Sequence, residues 1–238
     1  MLTSFSTIAL KSPVDGSLIF PCIIGSGEDW VLVDTGYPDT SGDLLKQLNS
    51  YKLKATLLTH DDFDHVGGLS AIRKTFPTLP FWSSEPEAHA LSGLVSSERL
   101  LQAEAGFDAL PEDMKSGAAA FIELLRNQDR FEIKTTWQDG QECLPGWQVI
   151  YTPGHTRGHI SLFAPDSLTL IAGDALVFAD GRLEIANPHY ALDLAAAVRS
   201  VARIQALRPT SILCYHGGWV KEGIDDMLEE LQRIYASM

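Results

Sequence analysis

Four times along this chain an apolar run of strand length stops at a histidine or an aspartate beside glycine. ATLL precedes THDDFDHVGG (59–68), WQVIY precedes TPGHTRGH (152–159), LTLIAG precedes Asp174, and SILCY precedes HGG (216–218). No other feature restricts the architecture as much. Short apolar, partly β-branched runs read as buried strands. A strand end that feeds a turn or a helix is where α/β proteins collect reactive groups, because rigid elements hold short side chains there. Taken singly, each motif has a plain alternative: an acidic turn that caps a helix, a histidine that orders a loop, an aspartate that is only a turn residue. Four such ends in one chain are hard to explain as separate accidents.

The rest of the chain fits a layered α/β sandwich. SLIFPCIIGS and DWVLVDTG are apolar runs parted by Gly and Asp, which predicts a hairpin. A helix is expected over 39–50, and VGGLSAIRKTF carries apolar residues at helical spacing. Residues 84–127 differ in character: Ala, Glu, Leu and Ser dominate, and FIELLR has helical spacing, so this block reads as a helical insertion beside the core. A helix over 192–207, the strand SILCY and an amphipathic helix over 221–236 complete the chain. No internal repeat or low-complexity tract interrupts it.

Charge and composition exclude several classes. A formal net charge of −13 would repel phosphate backbones and anionic membrane surfaces, and Lys and Arg are scattered, so neither nucleic acid nor membrane is expected as a partner. No apolar run approaches the ~20 residues needed to span a bilayer, and MLTSFSTIALKSPVDG lacks the pattern of a signal peptide. Three widely spaced cysteines, an odd number, argue for free thiols in a reducing compartment, so a cytoplasmic location is expected.

The chemistry follows from the strand-end residues. In His60-x-Asp62-x-Asp64-His65 a tight loop can aim alternate side chains at one point, and borderline-hard metal ions take imidazole and carboxylate ligands. Pro153 and Gly154 force a turn that presents His155 at its tip, while His159 at the start of the next strand orders the turn through hydrogen bonds. Asp174 follows a Gly at a strand end, where a carboxylate can bridge two cations. His216 ends another strand before paired glycines.

In this order, with DTG at 34–36 ahead of them and GD at 173–174 between them, the motifs resemble the metallo-β-lactamase superfamily over roughly residues 15–220. The resemblance implies a four-layer αββα sandwich formed as a single domain over 1–238, with two divalent metal ions in a cleft at one edge of the sheets. Zinc is the first expectation, with iron or manganese as alternatives. By position, His60, Asp62 and His155 would hold one ion, and Asp64, His65 and His216 the other. Asp174 would bridge both, and Asp34 would tie down the loop. The implied activity is hydrolysis of an ester, lactone, thioester or amide of a small molecule by a water that two cations make acidic, with Asp64 and Asp174 as the catalytic carboxylates. Rival readings are redox chemistry at iron and a non-catalytic metal-binding or regulatory domain.

The departures from the family's patterns narrow this. The usual H-x-H-x-D-H has imidazole where Asp62 stands, and a carboxylate is the harder ligand, which favours iron or manganese at that position. Asp174 occupies the bridging position, so the zinc-binding Cys of true β-lactamases is not matched. Only 22 residues follow His216, against the long C-terminal helical domain of glutathione thioester hydrolases. Quorum-quenching lactonases carry Tyr where this chain has Val177, and the oxygen-reducing diiron members carry a fused flavin domain.

Other residues receive smaller roles. His189, in NPHY, is expected to line the cleft, His89 to face solvent, and Cys214 to be a buried thiol. The insertion is expected to wall the cleft and favour an uncharged or hydrophobic acyl group. Packing on the far side or a homodimer contact is its alternative use.

Overall fold

The protein is described by a computed structural model covering residues 4–26 and 28–236. Two six-stranded sheets stack face to face. In spatial order the first comprises Ser4–Thr7, Cys22–Ser26, Asp29–Val33, Leu53–Leu57, Phe81–Ser84 and Ile133–Trp137. The second runs Gly218–Val220, Ser211–Cys214, Thr169–Gly173, Ile160–Ala164, Trp147–Tyr151 and Glu142–Leu144. Asp29–Val33 through Ile133–Trp137 pair in parallel, and so do Thr169–Gly173 and Ser211–Cys214.

Three apolar layers explain why the strands are apolar on both faces. Between the sheets, Ile24, Val31, Val33 and Leu57 meet Trp147, Val149, Leu162 and Leu213. Their alternates Ile23 and Leu32 point outward onto Leu44 and Leu48 of helix Ser41–Leu48 and Ile72 of helix Leu69–Thr75. On the opposite outer face Ile150, Leu170 and Ile212 pack on Val201 and Ile204 of helix Leu194–Ala206 and on Leu228 of helix Ile224–Ala236. A side-chain period of two thus sends apolar groups into a core in either direction. This is the expected αββα sandwich.

The expected hairpin is only half of what forms. Cys22–Ser26 pairs antiparallel with Asp29–Val33, but Leu18–Ile19 leaves that strand and pairs with Leu10–Lys11. Pro21 separates the two pieces and has no N–H to donate to a ladder, so SLIFPCIIGS cannot run as one strand. The small ribbon sits at the site: Ile19 bridges to His216. A second ribbon, Val177–Ala179 with Arg182–Glu184, follows Asp174 and had no clear signature in the sequence.

The insertion is helical as expected, with helices Glu85–Leu91, Glu98–Gly106 and Glu112–Arg126. The first two begin on serines whose hydroxyls accept from the backbone, Ser84 from Glu87 and Ser97 from Leu100. The third buries Ile122 and Leu125 and leaves Phe121 and Leu124 partly exposed on another side.

Candidate metal centre

The four strand ends meet at one edge of the sandwich. His60, after Leu53–Leu57, has its ring centroid 4.9 Å from that of His155 and 4.1 Å from that of His65. His65 lies 5.9 Å from His216 by the same measure. On one side, His155 Nε2 is 2.9 Å from Asp62 Oδ2, and His60 Nε2 is 3.7 Å from the same oxygen. On the other, His216 Nε2 is 3.1 Å from Asp64 Oδ2, and His65 Nε2 is 3.9 Å from it. Asp174 stands between. Its Oδ1 is 3.2 Å from His65 Nε2 and 3.6 Å from His216 Nε2, while its Oδ2 is 3.5 Å from His155 Nε2. One oxygen therefore faces each side.

These spacings suit metal ligation. Three sets, His60–Asp62–His155, His60–His65–Asp174 and Asp64–His65–His216, each bring their donor atoms within 4.8 Å of one another. The sharper observation is that His60 Nε2, His65 Nε2 and Asp174 Oδ1 are buried without a hydrogen bond. Each such atom costs about 1–3 kcal/mol if nothing pairs with it. Three of them aimed at one point make a site for a cation.

The surroundings fix the ring orientations. Asp34 accepts from the Thr59 backbone at 2.9 Å and its hydroxyl at 2.8 Å, and meets His65 Nδ1 at 2.9 Å. Thr59 Oγ1 also meets His60 Nδ1 at 2.9 Å, so both rings turn their Nε2 atoms inward. Asp34 touches no inward-facing donor and adopts φ +59, a left-handed conformation that Asp tolerates better than most residues. His159 receives the Asp174 backbone N–H on Nε2 at 2.9 Å and meets Thr152 Oγ1 through Nδ1 at 2.9 Å. Gly173, at φ +55, leaves no room for a side chain there: a Cβ would stand 2.7 Å from His159 Nε2. Asp34 and His159 therefore brace the cluster from behind rather than pointing into it.

Charge pairing sets the protonation tendencies. Burial works against a charged His65, but Asp174, Asp64 and Asp34 outweigh it and hold the imidazole well above its ordinary value. His216 is likewise raised against its burial by Asp174 and Asp64. Burial lowers His60, and the neighbouring His65 lowers it further. Burial opposes ionisation of Asp62 and Asp174, yet their imidazole neighbours, with Arg99 beside Asp62, keep both well below the usual carboxylate range.

Other residues behave differently from expectation or were not expected at all. Asp61, within the acidic run, turns away and pairs with Arg130 at 2.6 Å. His189 is exposed and stands outside the cleft wall, to which its neighbours Asn187 and Tyr190 contribute. The loop sets those two, though exposed, along the cleft, which a sequence motif does not reveal. Sequence reasoning missed Tyr215, whose ring stacks on His65 at 3.8 Å and whose hydroxyl donates to the Asp64 carbonyl at 2.6 Å. It missed Arg99 as well, a buried guanidinium from the second insertion helix that reaches Asp62 at 2.8 Å.

The cluster opens into a cleft of about 1270 Å³. Its wall is mostly apolar, with Val14, Leu18 and Phe20 from the first ribbon, Phe63, Phe178 and Tyr190, and Phe121 and Leu124 from the insertion. The insertion thus contributes to the cleft wall. Arg99 is the only Lys or Arg in that wall among the described residues, and Asp15 and Asp39 add negative charge near the mouth.

A double-sheet sandwich with a His/Asp cluster at the ends of its strands defines a class, and residues 22–216 match the profile of the metallo-beta-lactamase superfamily. The chain belongs to that superfamily. Among its relatives is "Probable metallo-hydrolase YflN" of Bacillus subtilis (strain 168), 29% identical over 79% of this chain and 75% of that protein. The hydroxyacylglutathione hydrolase of Thermosynechococcus vestitus is 27% identical over 78% of this chain but only 57% of its own length. The crystal structure of a metallo-beta-lactamase family protein from Thermus thermophilus superposes with a TM-score of 0.70 at 21% identity, covering 98% of this chain and 79% of that one.

Proposed function

We propose that this chain is a single-domain, dinuclear metal-dependent hydrolase acting on small neutral esters or lactones with an apolar acyl part. The observation that carries the reading is Asp174. It offers one oxygen to each of two His/Asp groups, and His60 Nε2, His65 Nε2 and Asp174 Oδ1 are buried facing one another with no hydrogen-bond partner outside the cluster. His60, Asp62 and His155 would hold one divalent ion and Asp64, His65 and His216 the second, with Asp174 shared. Ions held there would supply a water acidic enough to ionise near neutral pH and a Lewis acid for a carbonyl oxygen.

The chain's own residues do the rest. Asp34, Thr59 and His159 hold the ligand rings and the Asp174 backbone in place. Asp64 and His216 are the more exposed members, with side chains 20% and 32% accessible, so substrate would approach from their side. Asp64 is placed there to pass a proton towards a leaving group. The apolar wall takes the acyl part and keeps bulk water away from the reacting carbon. The same wall disfavours anionic substrates, because its one guanidinium has all its N–H groups engaged. Zinc is the proposed ion, since Arg99 withdraws charge from Asp62 and reduces the hardness that a free carboxylate would bring.

The test is a substrate screen across p-nitrophenyl esters of graded acyl length, lactones, thioesters and phosphodiesters, before and after chelation. Chelator-sensitive turnover that rises with acyl length is expected. Turnover that survives full metal removal, or a preference for phosphodiesters, would contradict the reading.

A further inference from the structure

Arg99 presents a problem of charge. Its guanidinium is 4% exposed and lies against a cluster in which cations are expected to bind. Nε donates to Asp62 Oδ1 at 3.1 Å, and Nη2 donates to Oδ2 at 2.8 Å. Nη2 also reaches His155 Nε2 at 3.2 Å, while Nη1 donates to Gln102 Oε1 at 2.5 Å and the Tyr190 carbonyl at 2.5 Å. Every nitrogen of the fork is used, and the side chain is locked between the insertion, the loop carrying Tyr190 and two candidate ligands, Asp62 and His155. Burying a guanidinium this deeply is strongly unfavourable unless it is paired. Its charged partner is Asp62.

Asp62 is also where this chain departs from the H-x-H-x-D-H pattern. With imidazole at that position the cluster would carry two carboxylates, Asp64 and Asp174. Asp62 makes three, and one guanidinium brings the net back to two negative charges, the number that the usual ligand set presents to its ions.

We propose that Arg99 is the counter-charge that allows a carboxylate to stand at position 62. It is a positioning residue: its fork holds both Asp62 oxygens and so fixes Oδ2 where it also faces His60 and His155. The inference rests on the metal-binding reading above and adds to it that the insertion helps set the first ion's site as well as the cleft wall.

The proposal predicts a dependence between two positions. Asp62→His restores the usual imidazole but strands Arg99 as an unpaired buried cation beside a divalent ion. This variant should therefore lose the first ion, giving about one metal per chain by mass spectrometric metal analysis, or fail to accumulate as folded protein. Adding Arg99→Ala removes the stranded charge and should restore folding and a content of two metals per chain. Arg99→Lys alone keeps the charge beside Asp62 and should retain two ions. A helix-docking role without charge compensation predicts no rescue, because the double variant would carry both defects.

The proposal is overturned if Asp62→His binds two ions with Arg99 present, or if the double variant is no better than Asp62→His in folded yield and metal content. It is also overturned if Arg99→Lys loses an ion. The wild-type control separates the two readings: a wild-type chain that binds no metal contradicts the proposed function, whereas a two-metal wild type with no rescue contradicts only the role of Arg99.

Discussion

Single side chains here carry unusually large consequences because most of them are buried and charged. Asp34 serves His65 and Thr59 at once, so Asp34→Ala would leave the buried His65 Nδ1 and the Thr59 backbone N–H and hydroxyl without their shared acceptor. Leaving buried donors unsatisfied costs about 1–3 kcal/mol each, and a denaturant melt of the metal-free protein should show a loss of that order. Glu87 is a separate case, bonded not to a candidate metal donor but to Thr156 and Gly158 in the turn that follows His155. Burial pushes its carboxyl up from 4.5 to about 8, against hydrogen bonds from Thr156 and the Gly158 backbone. A group raised on folding contributes stability that is fully present below its unfolded value and lost as pH climbs through the folded one. The melting temperature should therefore fall as pH rises from the unfolded value of 4.5 through about 8, and Glu87→Gln should flatten that decline. An unchanged pH profile in the variant would mean that Glu87 is not the group responsible.

At the scale of elements, the strands and their terminal ligands were the most legible part of the sequence. An apolar run ending on His or Asp records burial and position together, so His60, His155, Asp174 and His216 all stand at strand ends that converge. What stayed hidden came from elements that meet only in space. Arg99 sits in an ordinary amphipathic helix, and nothing in ERLLQAEAG marks it as facing Asp62, 37 residues earlier. Tyr215 adjoins His216, but only the fold reveals that its ring stacks on His65. The misread strand at Leu18–Ile19 is a matter of one backbone N–H, which Pro21 lacks. The insertion's role in selectivity is best tested by point changes, since replacing the whole segment would also remove Arg99. Phe121 and Leu124 are about one-third exposed, at 37% and 36%, so truncation should disturb the core little. Phe121→Ala and Leu124→Ala should weaken the preference for longer acyl chains, read as kcat/KM across a series of esters, with metal content unchanged. An unaltered chain-length profile would remove this helix from the specificity wall.

Taken whole, the molecule is a sandwich whose two sheets are each sealed by helices on the outside, leaving one edge at which strands from both sheets end. The chain's formal charge of −13 and the acidic rim at Asp15 and Asp39 suit attraction of cations to that edge and repulsion of anionic substrates. Among the described residues no helix is long and apolar enough to cross a membrane. The central claim is that seven side chains from the two sheets bind two divalent ions sharing Asp174. It is tested most directly by metal analysis of purified protein after stripping and reloading with zinc, set beside the Asp174→Ala variant. The account predicts two ions per wild-type chain, and a loss of both occupancy and esterase turnover when Asp174 is removed. A wild-type chain that binds one ion or none, or an Asp174→Ala variant that keeps two ions and the wild-type rate, would contradict it.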